Sequence, residues 1–292
     1  MTDAKRYQPF YPLNREGDSF EAARAVVLPV PYEGTVCYGK GTGQGPAALC
    51  AASGFMEDYD EVLGLCPCEV GIHTLPPLTL SEKPENVARA VQQEVSRILD
   101  AGKFPLVIGG EHSISVGVFR ALNQKYPGVG VVQFDAHTDL RQSYQGSAWS
   151  HACVMARIRE DARDVLQLGI RSTSAEEVLS VRESGIGDSI GFMHQIRSGF
   201  FDWRKRIDSL PTRVFVTFDL DAFDLSVIRA TGTPEPGGLT WTEADEILAY
   251  IFAHKEVVGC DVMELCGDSV PCAYSAARLV YRMIGRALCR PS

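Results

Sequence analysis

The sequence predicts an α/β fold built on a mostly parallel sheet with helices on both faces, and three observations carry that expectation. Eight short runs of β-branched and other apolar residues alternate with helical stretches along all 292 residues. The runs are continuously apolar rather than alternating, as in strands buried on both faces. Strand and helix taking turns implies parallel pairing through crossover helices. No repeat, low-complexity tract or long linker interrupts the pattern, so 1–292 reads as a single domain.

Strands are expected at 25–30, 70–75, 104–108, 129–134, 165–168, 189–192, 214–218 and 257–263. The stretch 84–101 sets Val87, Val91, Val95 and Ile98 on one stripe and stops at Gly102, a residue suited to a helix end. A helix over 113–126 follows the Gly109-Gly110 turn. Thr240-Trp241-Thr242-Glu243 has the form of a capping box opening a helix toward His254. The last helix, 273–288, carries Ala276, Leu279, Val280, Met283, Ile284 and Leu288 on one face.

Apolar residues make up 45% and charged residues 22%, so a sizeable core needs no disulfide or structural metal to form. The net charge of −9 argues against nucleic acid and against an anionic membrane surface as partners. The N-terminus shows no apolar leader, and no apolar run approaches the ~20 residues that span a bilayer. Nine scattered cysteines in such a chain suggest reduced thiols and a cytoplasmic location. Cys66, Cys68, Cys260, Cys266 and Cys272 match no zinc-finger spacing and read as small buried apolar residues.

In open parallel sheets functional groups gather at the carboxyl ends of strands. Four such ends are dense in acids and histidines: Gly109-Gly110-Glu111-His112, Asp135-Ala136-His137-Thr138-Asp139, Asp219-Leu220-Asp221-Ala222-Phe223-Asp224 and Asp261-Val262-Met263-Glu264. Alternate side chains of extended backbone share a face. Asp135, His137 and Asp139 are therefore expected to converge, as are Asp219 and Asp221, with His112 entering from a neighbouring strand end. Four converged carboxylates do not stay ionised unaided, and two divalent cations balance them. Carboxylates that bridge suit two ions about 3.5–4 Å apart. Oxygen donors with some imidazole favour Mn2+ over a thiolate-seeking metal, with iron, cobalt, nickel and zinc as alternatives. Each motif alone is as readily a surface loop or helix cap; together, each after a buried strand, they point to a binuclear metal centre.

With these residues assembled, the sequence resembles the ureohydrolase family of arginases and agmatinases over nearly its whole length, closest to the agmatinase branch. The motifs above carry the resemblance, with Thr231-Gly232-Thr233-Pro234-Glu235-Pro236-Gly237-Gly238, Pro31-Tyr32-Glu33-Gly34-Thr35, the glycine-rich 39–46, and Ser150-His151-Ala152. It implies a three-layer α/β/α fold, two Mn2+ ions, cleavage of a small guanidino substrate with release of urea, and a homotrimer or homohexamer. It places one ion on His112, Asp135, Asp139 and Asp219 and the other on Asp135, His137, Asp219 and Asp221, with Asp135 and Asp219 bridging. Glu264 is the candidate for orienting the guanidinium through paired hydrogen bonds; a metal-neighbouring acid or the partner of a structural arginine are its alternatives. His151 is the candidate proton donor and shuttle; an ordinary histidine at a helix start is its alternative. Thr233 is a second substrate contact, and Asp224 and Glu111 orient ligands from behind. His73, His194 and His254 read as structural or exposed, and Cys153 lies two residues from His151.

Arginases carry an asparagine two residues after Asp-x-His-x-Asp, where this chain has Arg141. Agmatine, giving putrescine and urea, is therefore the expected substrate. Aminopropylagmatine, or guanidinobutyrate paired to Arg141, are alternatives, and a solvated loop arginine is the plain reading of Arg141. The chain departs from the family pattern at Leu225 and Arg229, where proline is usual, and at 266–272. The second-metal ligands argue against the one-zinc deacetylase relatives, and the intact ligands and Glu264 argue against a non-catalytic binding relative.

Overall fold

Apolar runs buried on both faces satisfy their backbone amides only by pairing with one another. The computed structural model describes residues 7–12 and 16–289; residues 1–6 of the N-terminus read above lie outside them. In chain order the elements are β1 (Ala25–Val30), α1 (Gly45–Ser53), β2 (Ile72–Thr74), α2 (Pro84–Asp100), β3 (Phe104–Gly109), α3 (Ser115–Lys125), β4 (Gly130–Phe134), α4 (Val154–Ile158) and β5 (Val165–Ile170). There follow α5 (Ala175–Ser184), β6 (Ile190–Phe192), α6 (Met193–Arg197), α7 (Trp203–Ser209), β7 (Arg213–Asp219), α8 (Trp241–His254), β8 (Glu256–Met263) and α9 (Val270–Leu288). One sheet takes all eight strands in the order β2-β1-β3-β8-β7-β4-β5-β6, with parallel pairing throughout.

Alternation along the strands divides the core in two. Val27, Leu106, Val132 and Val216 pack with Leu49 of α1, Ile207 of α7, Ile247 of α8 and Val280 of α9. Their neighbours Val26, Val107, Val131 and Phe215 pack with Val95 of α2, Phe119 of α3 and Val154 of α4. This is the three-layer α/β/α arrangement. Among the described residues no helix is long and apolar enough to cross a membrane.

The expected strands all form. The second is shorter than 70–75, because Pro67–Val70 is a 3-10 turn and Gly71, at φ 75°, re-aims the chain before Ile72. Gly102 ends α2 at φ 71°, with Lys103 N–H bonded to Ile98 O and Gly102 N–H to Leu99 O, the paired closure of a Schellman cap. The Thr240–Glu243 capping box is present. A second one, Ser174 with Glu177, opens α5, a helix the periodicity did not single out.

The Gly109-Gly110 turn positions the site. Gly110 N–H bonds to Val30 O and Glu111 N–H to Tyr32 O, so the end of β3 stays locked to the chain leaving β1. A Cβ on Gly110 would stand 1.9 Å from the Tyr32 carbonyl oxygen, leaving no room for any side chain. Gly110→Ala is expected to destabilise the protein by about 2–3 kcal/mol, the upper range for forced overpacking. Thermal or denaturant unfolding checks this, and unchanged stability contradicts the packing argument.

Candidate metal centre

β3, β8, β7 and β4 are consecutive neighbours in the sheet, so the four acid- and histidine-bearing strand ends open onto one place. The six expected ligands meet there. His112 Nδ1 lies 3.0 Å from Asp135 Oδ2, 3.2 Å from Asp219 Oδ2 and 3.5 Å from Asp139 Oδ2. His137 Nδ1 lies 3.0 Å from Asp221 Oδ2 and 3.5 Å from Asp135 Oδ1. The donor atoms form two compact groups, His112 with Asp135 and Asp219, and His137 with Asp135 and Asp221. Asp135 belongs to both; Asp219 belongs to the first alone, and Asp139 borders it.

The route to this convergence differs from strand alternation. Asp135 is the first residue beyond β4, and Asp139 turns inward because its backbone is left-handed, at φ 52°. Asp221 sits on the 3-10 turn Leu220–Ala222, whose start is capped by the Asp219 carboxylate at 2.9 Å from Asp221 N–H. A short polar side chain tolerates such positions better than a bulky one.

Beneath the ligands a polar row crosses the sheet. Register pairs Asp261 of β8 with Thr217 of β7, Thr217 with Gln133 of β4, and Gln133 with Gln167 of β5. All four are buried. Gln133 donates to Asp135 Oδ2 at 2.6 Å, and Gln167 donates to Gln133 at 2.6 Å and to Thr138 O at 2.8 Å. Thr217 Oγ1 donates to Ser115 and lies 2.9 Å from His112 Nε2, so it accepts the Nε2 proton and leaves Nδ1 as the ring atom facing the acids. That Nδ1 is fully buried and has no well-aligned hydrogen bond of its own. An orphaned buried imidazole nitrogen among carboxylate oxygens is what a divalent cation site requires.

Two further groups hold the ligand loops. Glu177 of the α5 capping box accepts from Thr138 Oγ1 at 2.8 Å and Leu140 N–H at 3.0 Å, fixing both sides of Asp139. Arg171 donates to the carbonyls of Asp221 (2.6 Å), Phe223 (3.2 Å) and Glu235 (2.8 Å), stapling the third motif to 231–238. Sequence reading missed this support. A lone polar residue inside an otherwise apolar strand was the signal for Gln133, Gln167 and Thr217, and Ser174-x-x-Glu177 was the signal for Glu177.

The other candidates divide. Glu264 is buried, at φ 69°, with Oε1 accepting His112 N–H at 2.8 Å. No lysine or arginine among the described residues pairs with it, and a Cβ on Gly232 would stand 2.9 Å from its Oε2, so 231–233 lies against it. Thr233 is half-buried there. Glu111 is buried and accepts from Gly34 N–H, Thr35 N–H, Thr35 Oγ1 and Ser113 Oγ. His151 is half-buried, with Nδ1 3.2 Å from Thr35 Oγ1 and its ring edge-on to Tyr144. Asp224 does not back the ligands: its oxygens are taken by Ser226 and Gly237 N–H, so it shapes the 224–238 loop that carries Leu225 and Arg229. Arg141 lies 3.9 Å from Glu177 and stacks over Tyr144. Cys153 is buried, and burial pushes its thiol up to about 11. All nine cysteines are free, and none joins a ligand group. His73 bonds to Asp18 O, His254 to Tyr250 O, and His194 packs on Phe192.

The family model of the Arginase family matches residues 23–287. The chain belongs to the arginase family. This is a family of binuclear metal enzymes, and the two ligand groups sharing Asp135 fit that requirement. The chain is 40% identical over 278 residues to the N(1)-aminopropylagmatine ureohydrolase of Synechocystis sp., covering 91% of this chain and 90% of the relative. It is 34% identical over 264 residues to the agmatinase of Pyrococcus horikoshii, covering 89% and 90%. The solved agmatine ureohydrolase of Thermoplasma volcanium superposes with a TM-score of 0.83 at 31% identity, covering 92% and 91%. This arginase-family chain is a hydrolase of guanidino compounds.

Charge balance in the site follows from burial. For His112 burial opposes the imidazolium, but the facing Asp135, Asp139 and Asp219 outweigh it and hold its pKa well above the ordinary value. His137 is likewise raised, against its burial, by Asp221 and Asp135. Asp139 is pushed up to about 7 by burial and the Asp135 charge. A cation must displace these protons to reach its ligands. Loading with Mn2+ at about pH 7 is expected to release protons, and affinity to strengthen about tenfold per pH unit for each proton released. Calorimetry in buffers of different ionisation enthalpy checks this; pH-independent affinity contradicts it.

Proposed function

We propose that this chain hydrolyses the guanidinium group of an amine-ended linear substrate to urea and an amine, with two Mn2+ ions held by His112, Asp135, Asp139, Asp219, His137 and Asp221. The observation that carries this reading is Glu264, a buried carboxylate with no cationic partner among the described residues, held by the backbone N–H of His112. When bound, a pair of divalent cations lowers the pKa of water so that a nucleophile is available near neutral pH.

The chain's own residues supply the rest. His112 N–H fixes the Glu264 carboxylate, which offers its remaining lone pairs to the planar fork of a guanidinium. Gly232 leaves room for Glu264 Oε2, and Thr233 contacts the substrate beside it. Burial lowers the His151 pKa, against the Glu111 charge, which favours the neutral imidazole; its Nε2 lone pair takes a proton from the attacking water and hands it on to the departing amine. The same residues exclude bulk water, since Glu111, His112, Asp135 and Glu264 are all buried.

The far end of the substrate is read from Arg141. Its guanidinium is engaged with Glu177 and Tyr144 rather than held free for a substrate carboxylate, which supports an amine end. Relatives bear the names of both N(1)-aminopropylagmatine ureohydrolase and agmatinase, and the 40% identity to the former favours the longer amine over agmatine. A homotrimer or homohexamer is proposed from the family resemblance, and light scattering on the metal-loaded protein decides it.

Urea release from manganese-loaded protein is the test. Aminopropylagmatine and agmatine are expected to give kcat/KM at least about 100-fold above arginine and guanidinobutyrate, as expected when a buried polar contact is unmet. No urea from any of the four, with two ions verified bound, sinks the reading. Glu264→Gln is expected to retain both metals and lose about 100-fold or more in kcat/KM, the loss of charge-assisted hydrogen bonds. Wild-type activity in that variant removes Glu264 from the mechanism.

A further inference from the structure

We propose that Thr35 is a positioning residue that holds the His151 imidazole with its proton on Nδ1 and its Nε2 lone pair toward the substrate; this rests on the reading of His151 as the group that moves a proton. The direction of each hydrogen bond decides it. Thr35 lies on the segment between β1 and α1, and its hydroxyl has one proton to give. The buried Glu111 carboxylate takes it, with Thr35 Oγ1 2.7 Å from Glu111 Oε1. That carboxylate offers only lone pairs, which it also gives to Gly34 N–H and Thr35 N–H at 2.6 Å each and to the Ser113 hydroxyl at 2.6 Å.

With its proton committed, Thr35 Oγ1 can only accept. It accepts from His151 backbone N–H at 3.0 Å, and it faces His151 Nδ1 at 3.2 Å. The second contact is favourable only with hydrogen on Nδ1, which fixes the tautomer of a neutral ring. Ser150 Oγ, 3.3 Å from the same nitrogen, turns to donate or accept and imposes no choice. The Tyr144 ring meets the imidazole edge-on at 5.8 Å and bounds its other side. The anchor is itself rigid. Glu33 accepts from Gly41 N–H and Gly43 N–H, closing the loop that carries Thr35. Three elements far apart in sequence, the β1 exit, the β3 end and the turn before α4, thus meet in one chain of hydrogen bonds whose polarity runs from His151 to Glu111.

Two variants and one spectrum test this. Thr35→Val keeps the shape and removes the hydroxyl; Thr35→Ser keeps the hydroxyl. In the metal-loaded enzyme Thr35→Val is expected to lower kcat about 10- to 100-fold, within the range of proton-transfer catalysis, with KM changed less than about threefold and metal content unchanged. Thr35→Ser is expected to retain kcat within about threefold of wild type. Independently of any substrate, long-range proton–nitrogen NMR on zinc-loaded, diamagnetic protein reads the His151 ring, its signals identified by their loss in His151→Asn. The wild type is expected to carry hydrogen on Nδ1 alone, and Thr35→Val to show a mixture of tautomers. Hydrogen on Nε2 in the wild type, alone or with Nδ1, overturns the proposal, as does Thr35→Ser as impaired as Thr35→Val. Failure of every guanidino substrate would sink the functional reading, while the NMR spectrum would still decide which ring nitrogen of His151 carries the proton.

Discussion

Mutual repulsion among buried acids is the constraint the rest of this structure answers. Asp135, Asp139, Asp219, Asp221, Glu264 and Asp261 all stand buried around the ends of β4, β7 and β8. Burial penalises the charged form of a carboxyl group, and a neighbouring negative charge penalises it further. Asp219 is held well above the ordinary carboxylate range by burial and by Asp221 and Asp135, and Glu264 by burial and Glu111. Asp135 is lowered, because the facing His112 and His137 imidazoles overcome its burial. Acids concentrated in this way favour the entry of cations that displace the protons they hold.

Holding the acids in place falls to neutral and backbone groups. Gln133 takes one oxygen of Asp135 and the His137 N–H takes the other. Ala136 N–H reaches Asp221, and His112 N–H reaches Glu264. Arg171, which ties the third motif to 231–238, spends its donors on carbonyl oxygens rather than on carboxylates. The loops are thereby fixed without neutralising the charge that the site keeps for its cations.

Much of this was legible in the sequence, for physical reasons. The strands were plain because burial on both faces forces continuous apolar runs, as in Val131-Val132 and Val214-Phe215-Val216. The candidate ligands were plain because metal chemistry needs particular side chains at strand ends, and the fold gathers them into two donor groups. Convergence was foreseen from the wrong geometry: alternation was expected, whereas a left-handed Asp139 and a 3-10 turn at Asp221 deliver the result. Asp224 was placed behind the ligands because it ends the same motif, yet its hydrogen bonds stay within its own loop. Thr35 was seen only as part of the 31–35 motif; its role depends on Glu111 and His151, 76 and 116 residues away, and no local pattern records such a meeting.

The polar row across the sheet has a consequence for how this protein can vary. Gln167 donates to Gln133, Gln133 to Asp135, and Thr217 receives His112, so each side chain defines the only sensible direction for the next. Replacing one member strands a buried donor or acceptor on its neighbour, while replacing two together can restore the match. Effects at Gln133 and Gln167 should therefore be strongly non-additive. In an evolving lineage these positions are free to change only in concert, as a linked unit of inheritance laid across strands whose paired glutamines stand 34 residues apart in the chain.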